Sequence, residues 1–274
     1  MSFIEILKVI LFGIVEGYTE FLPISSTGHL ILVENLVHLD QPEDFFEVFK
    51  VVIQLGAILS VVVLYWRKLW PFAKGRTDKE KRDTLNLWMK IIVAVIPAAI
   101  VGFLFDDFLE EHLSTPVVIG ITLIAYGIAF IALEKIQRKK AFSIKNTRQI
   151  SMRTALCIGL FQCLSLIPGT SRSGATILGA MLLGVNRAAS AEFSFFLGIP
   201  VMVGASGLKL IKHGFSFTGS QWVILILGTV ISFMVAIYAI RYLMDYVRRH
   251  SFSVFGWYRI VLGIVVLLYF GLIA

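Results

Sequence analysis

The stretch from Gly13 to Leu32, GIVEGYTEFLPISSTGHLIL, sets Glu16, Glu20, Ser25, Ser26, Thr27 and His29 into otherwise membrane-grade apolar sequence. Ionisable groups in a bilayer segment are costly, so together they read as a functional site. Glu16 and Glu20 are spaced i, i+4, which on a helix puts both carboxylates on one face. Such a pair can hold a hard cation, Mg2+ or Ca2+. Alternatively it divides into an ion and a proton carrier, because two close like charges resist double ionisation. Pro23 breaks any helix running through the stretch, and Ser25 to Gly28 then offer capping hydroxyls and a permissive glycine where the next helix begins. The amides of that first turn form an anion site, since helix N-termini gather unpaired N–H groups and positive dipole. Ser26 and His29, spaced i, i+3, fall within reach of each other. A helix broken in this way is tolerated only where its freed backbone lines a protein-buried or watery cavity.

The same pattern returns 146 positions later: Gly13 falls on Gly159, Glu16 on Gln162, Thr19 on Ser165, Ser25 on Ser171, Thr27 on Ser173 and Gly28 on Gly174. The second copy, PGTSRSGAT from Pro168 to Thr176, carries Arg172 where the first carries Ser26. Gly169 permits close backbone approach, Ser171, Ser173 and Thr176 supply hydroxyls, and Arg172 offers a planar fork suited to phosphate. One half brings carboxylates and imidazole, the other a guanidinium, and the ligand they suit is a polyanion.

These tips must be held by membrane-spanning helices. Of the 274 residues 57% are hydrophobic and 16% charged, and mean hydropathy is +0.83, beyond the roughly 45–50% apolar content of soluble domains. The reading is an all-α polytopic membrane protein. A net charge of +7 raises the question of nucleic acid, but the basic residues lie in loops between apolar runs and no nucleic-acid partner is expected. Cys157 and Cys163 lack CxxC spacing and read as free buried thiols. The N-terminal segment has Glu5, a single Lys before Glu16 and no small-residue cleavage site, so it is not expected to be a removable signal peptide.

Spans are expected at 48–66, 87–105 and 116–133 in a first half (1–140), and at 191–211, 222–240 and 255–274 in a second (141–274), each near the ~20 residues that cross the hydrocarbon core. The arms around the two breaks are too short to cross. Residues 3–39 and 151–187 are therefore expected as re-entrant helix hairpins. Three spans per half is an odd number, so the second half starts from the opposite side and the repeat has inverted topology. Segments 67–90 and 134–153 hold eight and seven Lys or Arg, whereas 40–47 and 106–111 hold four acids each and no basic residue. The basic segments are expected to be cytoplasmic, which puts both termini outside.

Elsewhere the expectations are structural. Gly13 and Gly17 let helices pack closely. Pro97 and Pro200 kink spans, and Trp66, Trp70, Trp88, Trp222 and Trp257 mark the interfaces. Lys50, Lys209 and Arg259 snorkel from span ends. Glu192 and Gln54 receive no role.

EGYTEFLPISSTGH resembles the ExxxE block, and PGTSRSGAT the PGxSRSxxT block, of the undecaprenyl-diphosphate phosphatase family, also called the bacitracin-resistance family. The resemblance extends through FKVVIQLGAILSVV and AEFSFFLGIP to the whole chain. It implies a multi-pass enzyme of the bacterial cell membrane, its site facing outward. Such an enzyme depends on a divalent cation and cleaves undecaprenyl diphosphate to undecaprenyl phosphate and inorganic phosphate for peptidoglycan synthesis. By the same resemblance Glu16 and Glu20 hold the metal, Glu20 doubling as base, Arg172 clamps the diphosphate, and Ser25, Thr27, Gly169, Ser171, Ser173 and Thr176 seat it. Three nucleophiles fit: Ser26 activated by His29, which is preferred, His29 itself, or a metal-activated water. The competing class is a secondary transporter or flippase of an anionic lipid, since inverted repeats with midplane breaks are its usual architecture. The partners are a polyprenyl diphosphate and the bilayer, with a homodimer left open.

Overall fold

A computed structural model describes residues 2–137, 142–214 and 216–272. The side chains of Asp106, Asp107 and Glu110 in the acidic stretch, part of the basic stretch 134–153, and the last two residues of the 255–274 span lie outside that description. Among the described residues the chain is helical: α1 (Phe3–Thr19), α2 (Ser26–Leu36), α3 (Glu43–Leu64), α4 (Trp66–Leu69), α5 (Asp78–Leu113), α6 (Pro116–Gln137), α7 (Met152–Cys163), α8 (Arg172–Leu182), α9 (Arg187–His213), α10 (Gly219–Arg249) and α11 (Ser253–Leu272). Short 3-10 turns lie at Thr147–Gln149 and Leu164–Leu166.

Six of these helices, α3, α5, α6, α9, α10 and α11, are long and apolar enough to cross a bilayer, and each overlaps one of the expected spans. The protein is a multi-pass membrane protein. Its outer surface agrees: Phe103, Ile211, Tyr238, Val261 and Leu268 stand exposed on these helices, as groups facing lipid do and groups facing water rarely do. α1, α2, α7 and α8 run only 17, 11, 12 and 11 residues. At 1.5 Å per residue none of the last three reaches beyond about 18 Å, little more than half the hydrocarbon thickness.

Small residues set the helix contacts. Gly13 and Gly17 of α1 lie against the backbone of α10 at Gly228 and Ser232, Gly159 of α7 against Ala94 of α5, and Gly56 of α3 against Thr229. Along α6 and α11 the glycines face one another in pairs, Gly120 with Gly263 and Gly127 with Gly256, each touching the other's carbonyl region. Without a hydrophobic drive between helices in lipid, such close backbone approach supplies the van der Waals contact that holds them.

Several expectations change. The segment 67–90 is mostly helical, since α4 occupies Trp66–Leu69 and α5 starts at Asp78 behind a Thr77–Glu80 capping box. Residues 106–111 belong to α5, which runs on to Leu113. Pro97 and Pro200 lie inside α5 and α9, within the expected spans. Cys157 and Cys163 are free but only half-buried. Glu192 receives Lys68 Nζ at 2.7 Å and the Thr147 hydroxyl at 2.9 Å, while Lys50 and Lys209 both pair with Glu47, at 2.5 and 2.8 Å. Those two lysines are anchored by an acid and do not reach freely from the span ends.

Candidate active site

α1 ends at Thr19 with Glu20 as its C-cap, and after the turn through Leu22 and Pro23 the chain restarts as α2; α7 ends at Cys163 and, past the break at Pro168, the chain restarts as α8. Both restarts use the same device. Ser25 and Ser171 cap α2 and α8, accepting from the amides of Gly28 and Gly174, and both sit in the left-handed region at φ 71° and 72°. They are the two non-glycine residues with positive φ among those described. Backbone strain at matched positions is retained only where surrounding structure over-determines it, and such places cluster at active sites.

The two tips meet. Glu20 Oε1 accepts from Arg172 Nη2 at 3.0 Å, and its other oxygen accepts from the Ser26 hydroxyl at 2.8 Å. Arg172 and Glu20 side chains are only 10% and 7% exposed, so their pairing is a desolvated one. Arg172 Nη1 donates to the Ser194 carbonyl at 2.6 Å, and Gly198 makes room for the guanidinium: a Cβ there would lie 2.6 Å from Nη2. Ser173 donates to the carbonyls of Glu20 and Leu22, both at 3.2 Å, lacing α8 to the first turn. The Thr176 hydroxyl, fully buried, donates to the Arg172 carbonyl and meets Ser194 Oγ at 2.7 Å. Ser171 Oγ lies 3.0 Å from Ser173 Oγ, and Thr27 is exposed at the rim. Ser173 and Thr176 thus hold the tips and Arg172 in place, with no free hydroxyl turned to a ligand.

The Ser26–His29 pairing expected from spacing is not what the structure makes. Ser26 gives its proton to Glu20, while His29 Nδ1 donates to the Ser25 carbonyl at 2.7 Å and Nε2 accepts from the Tyr258 hydroxyl at 2.7 Å. A carbonyl at Nδ1 fixes that nitrogen as the protonated one. Gly169, at φ +86°, brings the second turn against α6, where a side chain would strike Thr122 and Ile119; Thr122 Oγ1 donates to the Pro168 carbonyl at 2.8 Å.

Glu16 is buried, close enough to Glu20 for the two carboxyls to share a proton and within electrostatic reach of Arg172, and no other donor among the described residues reaches its oxygens. Gln162, its counterpart in the repeat, is likewise buried with its amide unpartnered. An orphaned buried carboxylate beside a second one fits a hard cation. Among the described residues no three His, Cys, Asp or Glu side chains converge, so a cation here would need oxygens beyond these side chains to complete its shell.

Arg259 is the residue that spacing misplaced. It is fully buried within α11, donating to the carbonyls of Pro23, Gly169 and Thr170 at 3.2, 2.9 and 2.8 Å. Tyr258 and Thr122 carry no motif and are identified only by the contacts they make, while Ser194 lies in the family-like stretch AEFSFFLGIP without being given a role there. Beside His29 opens an apolar cleft of about 380 Å3, lined among others by Tyr18, Leu22, Ile24, Tyr242 and Tyr258. A larger cavity of about 700 Å3 is lined among others by Gln54, Glu47, Lys209 and Leu166, the last of which lies two residues before the Pro168 break.

A family model described as "Bacitracin resistance protein BacA" matches residues 9–265. The chain belongs to the BacA family. Among curated BacA relatives, an undecaprenyl-diphosphatase of Enterococcus faecalis is 56% identical over 270 residues, covering 98% of each chain. Undecaprenyl-diphosphatase 1 of Clostridioides difficile (strain 630) is 54% identical over 272 residues, 99% of this chain and 98% of its own. A third, from Acetivibrio thermocellus, is 51% identical over 267 residues. The BacA match runs through both tips, so the meeting of Glu20 with Arg172 lies inside the region that defines the family.

Proposed function

We infer that the protein is an integral membrane undecaprenyl-diphosphate phosphatase, releasing inorganic phosphate and regenerating the monophosphate lipid carrier for peptidoglycan synthesis; the family is associated with bacitracin resistance. The observation that carries the chemistry is Glu20, which accepts from Ser26 with one oxygen and holds Arg172 with the other.

In this reading Ser26 is the nucleophile and Glu20 its base. Glu20 takes the Ser26 proton as Oγ attacks the terminal phosphorus, and the bond to the bridging oxygen breaks so that the lipid leaves as its monophosphate. The monophosphate departs with that proton; water then attacks the phosphoserine, delivering a proton to the vacated carboxylate, and Glu20 returns it to Ser26 Oγ as inorganic phosphate leaves. Arg172 neutralises charge growing on the transferred group, where most phosphoryl-transfer catalysis lies. The capped first turns of α2 and α8 direct amides toward that group. A substrate phosphate competes with Glu20 for Arg172, and winning that competition frees the carboxylate for proton transfer. His29 fixes the Ser25 carbonyl and with it the start of α2. A divalent cation at Glu16 and Glu20 supplies charge neutralisation to the diphosphate oxygens when bound. The isoprenoid chain follows the tyrosine-lined cleft beside His29, whose apolar walls suit it.

The halves form an inverted-topology repeat with a re-entrant hairpin in each. Supporting this are the short hairpin arms, the paired Ser25 and Ser171 geometry, and the α6–α11 seam. In that seam the operation taking Gly120 to Gly256 takes Gly127 to Gly263, exchanging the two contacts as a two-fold axis does. With basic segments cytoplasmic, both termini and the site face outside the cell membrane. A pure transporter reading leaves the Ser26–Glu20 contact without a purpose.

The deciding experiment is phosphate release from a polyprenyl diphosphate by purified protein in detergent, where there is no membrane to transport across. Release that needs a divalent cation and vanishes in Ser26→Ala is expected. No release in detergent, with movement of a phosphorylated lipid in proteoliposomes, would give the transporter reading the field.

A further inference from the structure

The first and second halves each turn a carbonyl-rich break toward the middle of the protein, and a single guanidinium meets both. Arg259 Nη1 donates to Pro23 and Nη2 to Gly169 and Thr170. Pro23 and Gly169 occupy the same place in the two copies of the repeat, 146 positions apart. The sequence has no second arginine to match: the position on α6 that pairs with Arg259 under the glycine register of the seam is Leu123. Arg259 is therefore an asymmetric part in a symmetric frame. We propose that Arg259 is a positioning residue for phosphoryl transfer: it clamps the two hairpin turns together through their carbonyls and so sets the register in which Ser26, Glu20 and Arg172 meet.

The physical case begins with the dipoles. Where α2 and α8 restart, their amides point one way, toward the anion site, and the carbonyls of the preceding turns point the other. Three such oxygens converging in a buried place repel one another and would draw a cation or water into the tip. A guanidinium satisfies them with fixed, planar geometry that an ammonium cannot copy. Arg259 is buried with no carboxylate among its hydrogen-bond acceptors, and the Tyr126 ring lies 5.4 Å from its Cζ. A charge held this way inside a membrane protein is costly, and its cost is offset by what it organises.

The glycine of the SRSG string belongs to the same device. A Cβ at Gly174 would lie 3.0 Å from Arg259 Nη1 and 3.3 Å from Ser171 Cβ. The motif thus carries Arg172 for the substrate and, two residues on, the space that Arg259 needs. Arg259 acts through the turns and touches neither Glu20 nor Ser26 in its hydrogen bonds.

This inference rests on the Ser26–Glu20–Arg172 reading of the site, and the test separates the two. Arg259→Met, Arg259→Lys, Arg259→Gly and Gly174→Ala are assayed in detergent for phosphate release, with thermal unfolding of each variant alongside. Misplacing reacting groups by about 1 Å costs on the order of a hundredfold in rate. A fall in kcat of that order is expected in Arg259→Met and Arg259→Lys, with KM within about threefold because ground-state contacts to the diphosphate remain. Gly174→Ala, which keeps the charge and moves it, falls in the same direction by less. Methylguanidinium added to Arg259→Gly restores part of kcat. Wild-type kcat in Arg259→Met overturns the proposal. So does a rise in KM alone, which would make Arg259 a substrate contact. Loss of activity that follows only the loss of thermal stability across the set, without methylguanidinium rescue, overturns it as well. If instead Arg172→Lys is fully active while Arg259→Met is not, the site reading fails and the clamp stands.

Discussion

Ser26 Oγ lies 2.8 Å from Glu20 Oε2, six residues before it, and on this contact rests our proposal that a carboxylate and not the His29 imidazole is the base. Glu20→Gln keeps the shape and removes the base, so turnover should fall about a hundredfold or more, general-base loss lying in the 10²–10⁴ range. His29→Ala, which releases the Ser25 carbonyl, should lower kcat while leaving any phosphoserine formed on Ser26. Acid-quenched enzyme exposed to labelled substrate measures both. Label retained by Ser26→Ala would exclude Ser26 as nucleophile.

Arg172→Lys keeps a charge opposite Glu20 and loses the planar fork. We expect a loss of several kcal/mol in transition-state stabilisation, roughly a hundredfold or more in rate. Arg172→Ala should also destabilise the protein by about 3–5 kcal/mol, because it leaves a buried carboxylate without its partner. The comparison of rates and melting curves for the two variants isolates the catalytic share.

Gly198→Ala adds one methyl group and removes nothing polar, yet its Cβ would lie 2.6 Å from Arg172 Nη2 and 2.9 Å from Cζ. The guanidinium must shift, and turnover should fall toward that of Arg172→Lys. Normal kcat in Gly198→Ala would mean that Arg172 works from another position.

Glu16 and Glu20 form a close buried pair of acids, and Glu16 has no other protein donor, the condition a hard cation relieves. Activity should be lost on chelation and return with a divalent ion, and Glu16→Gln should raise the cation concentration needed for half-maximal rate. Full activity in excess EDTA would leave the two acids to proton transfer alone.

Topology is checked by single cysteines on a background lacking Cys157 and Cys163. A cysteine at Asp40 or Gln41 should react with an impermeant thiol reagent in intact cells, and one at Lys74 or Arg76 should be shielded. Labelling of both from one side would sink the inverted arrangement.

Most of the frame was legible in the sequence because it is written locally. Span-length apolar runs, a proline break and a serine before each restart are properties of consecutive residues, and so is the repeat that aligns Ser25 with Ser171. The site was legible to the level of its residues and misread at the level of its pairings. Ser26 and His29 are neighbours on a helical wheel, but Ser26 sits in the first turn, where its side chain can reach back across the break to Glu20. Arg259 was misread because hydropathy places a lone arginine by its distance from the interface. Its actual partners, Pro23 and Gly169, lie 236 and 90 residues away. Tyr258 was invisible for the same reason, and Ser194, though inside the family-like AEFSFFLGIP, shows its role only through its contacts with Arg172 and Thr176.

The glycine seam of α6 and α11 is self-complementary, while the chemistry it brings together is not. Two copies of residues 1–140 joined through such a seam would hold two serine–glutamate tips and no arginine at the restart; two copies of 141–274 would hold an arginine at each restart and no acid in either tip. On the inverted-repeat reading proposed above, the chain is a diverged pair of halves, each carrying part of the reaction. Separately produced halves are then expected to regain phosphatase activity only as one of each, the mixed pairing being the sole combination that contains a complete set of parts.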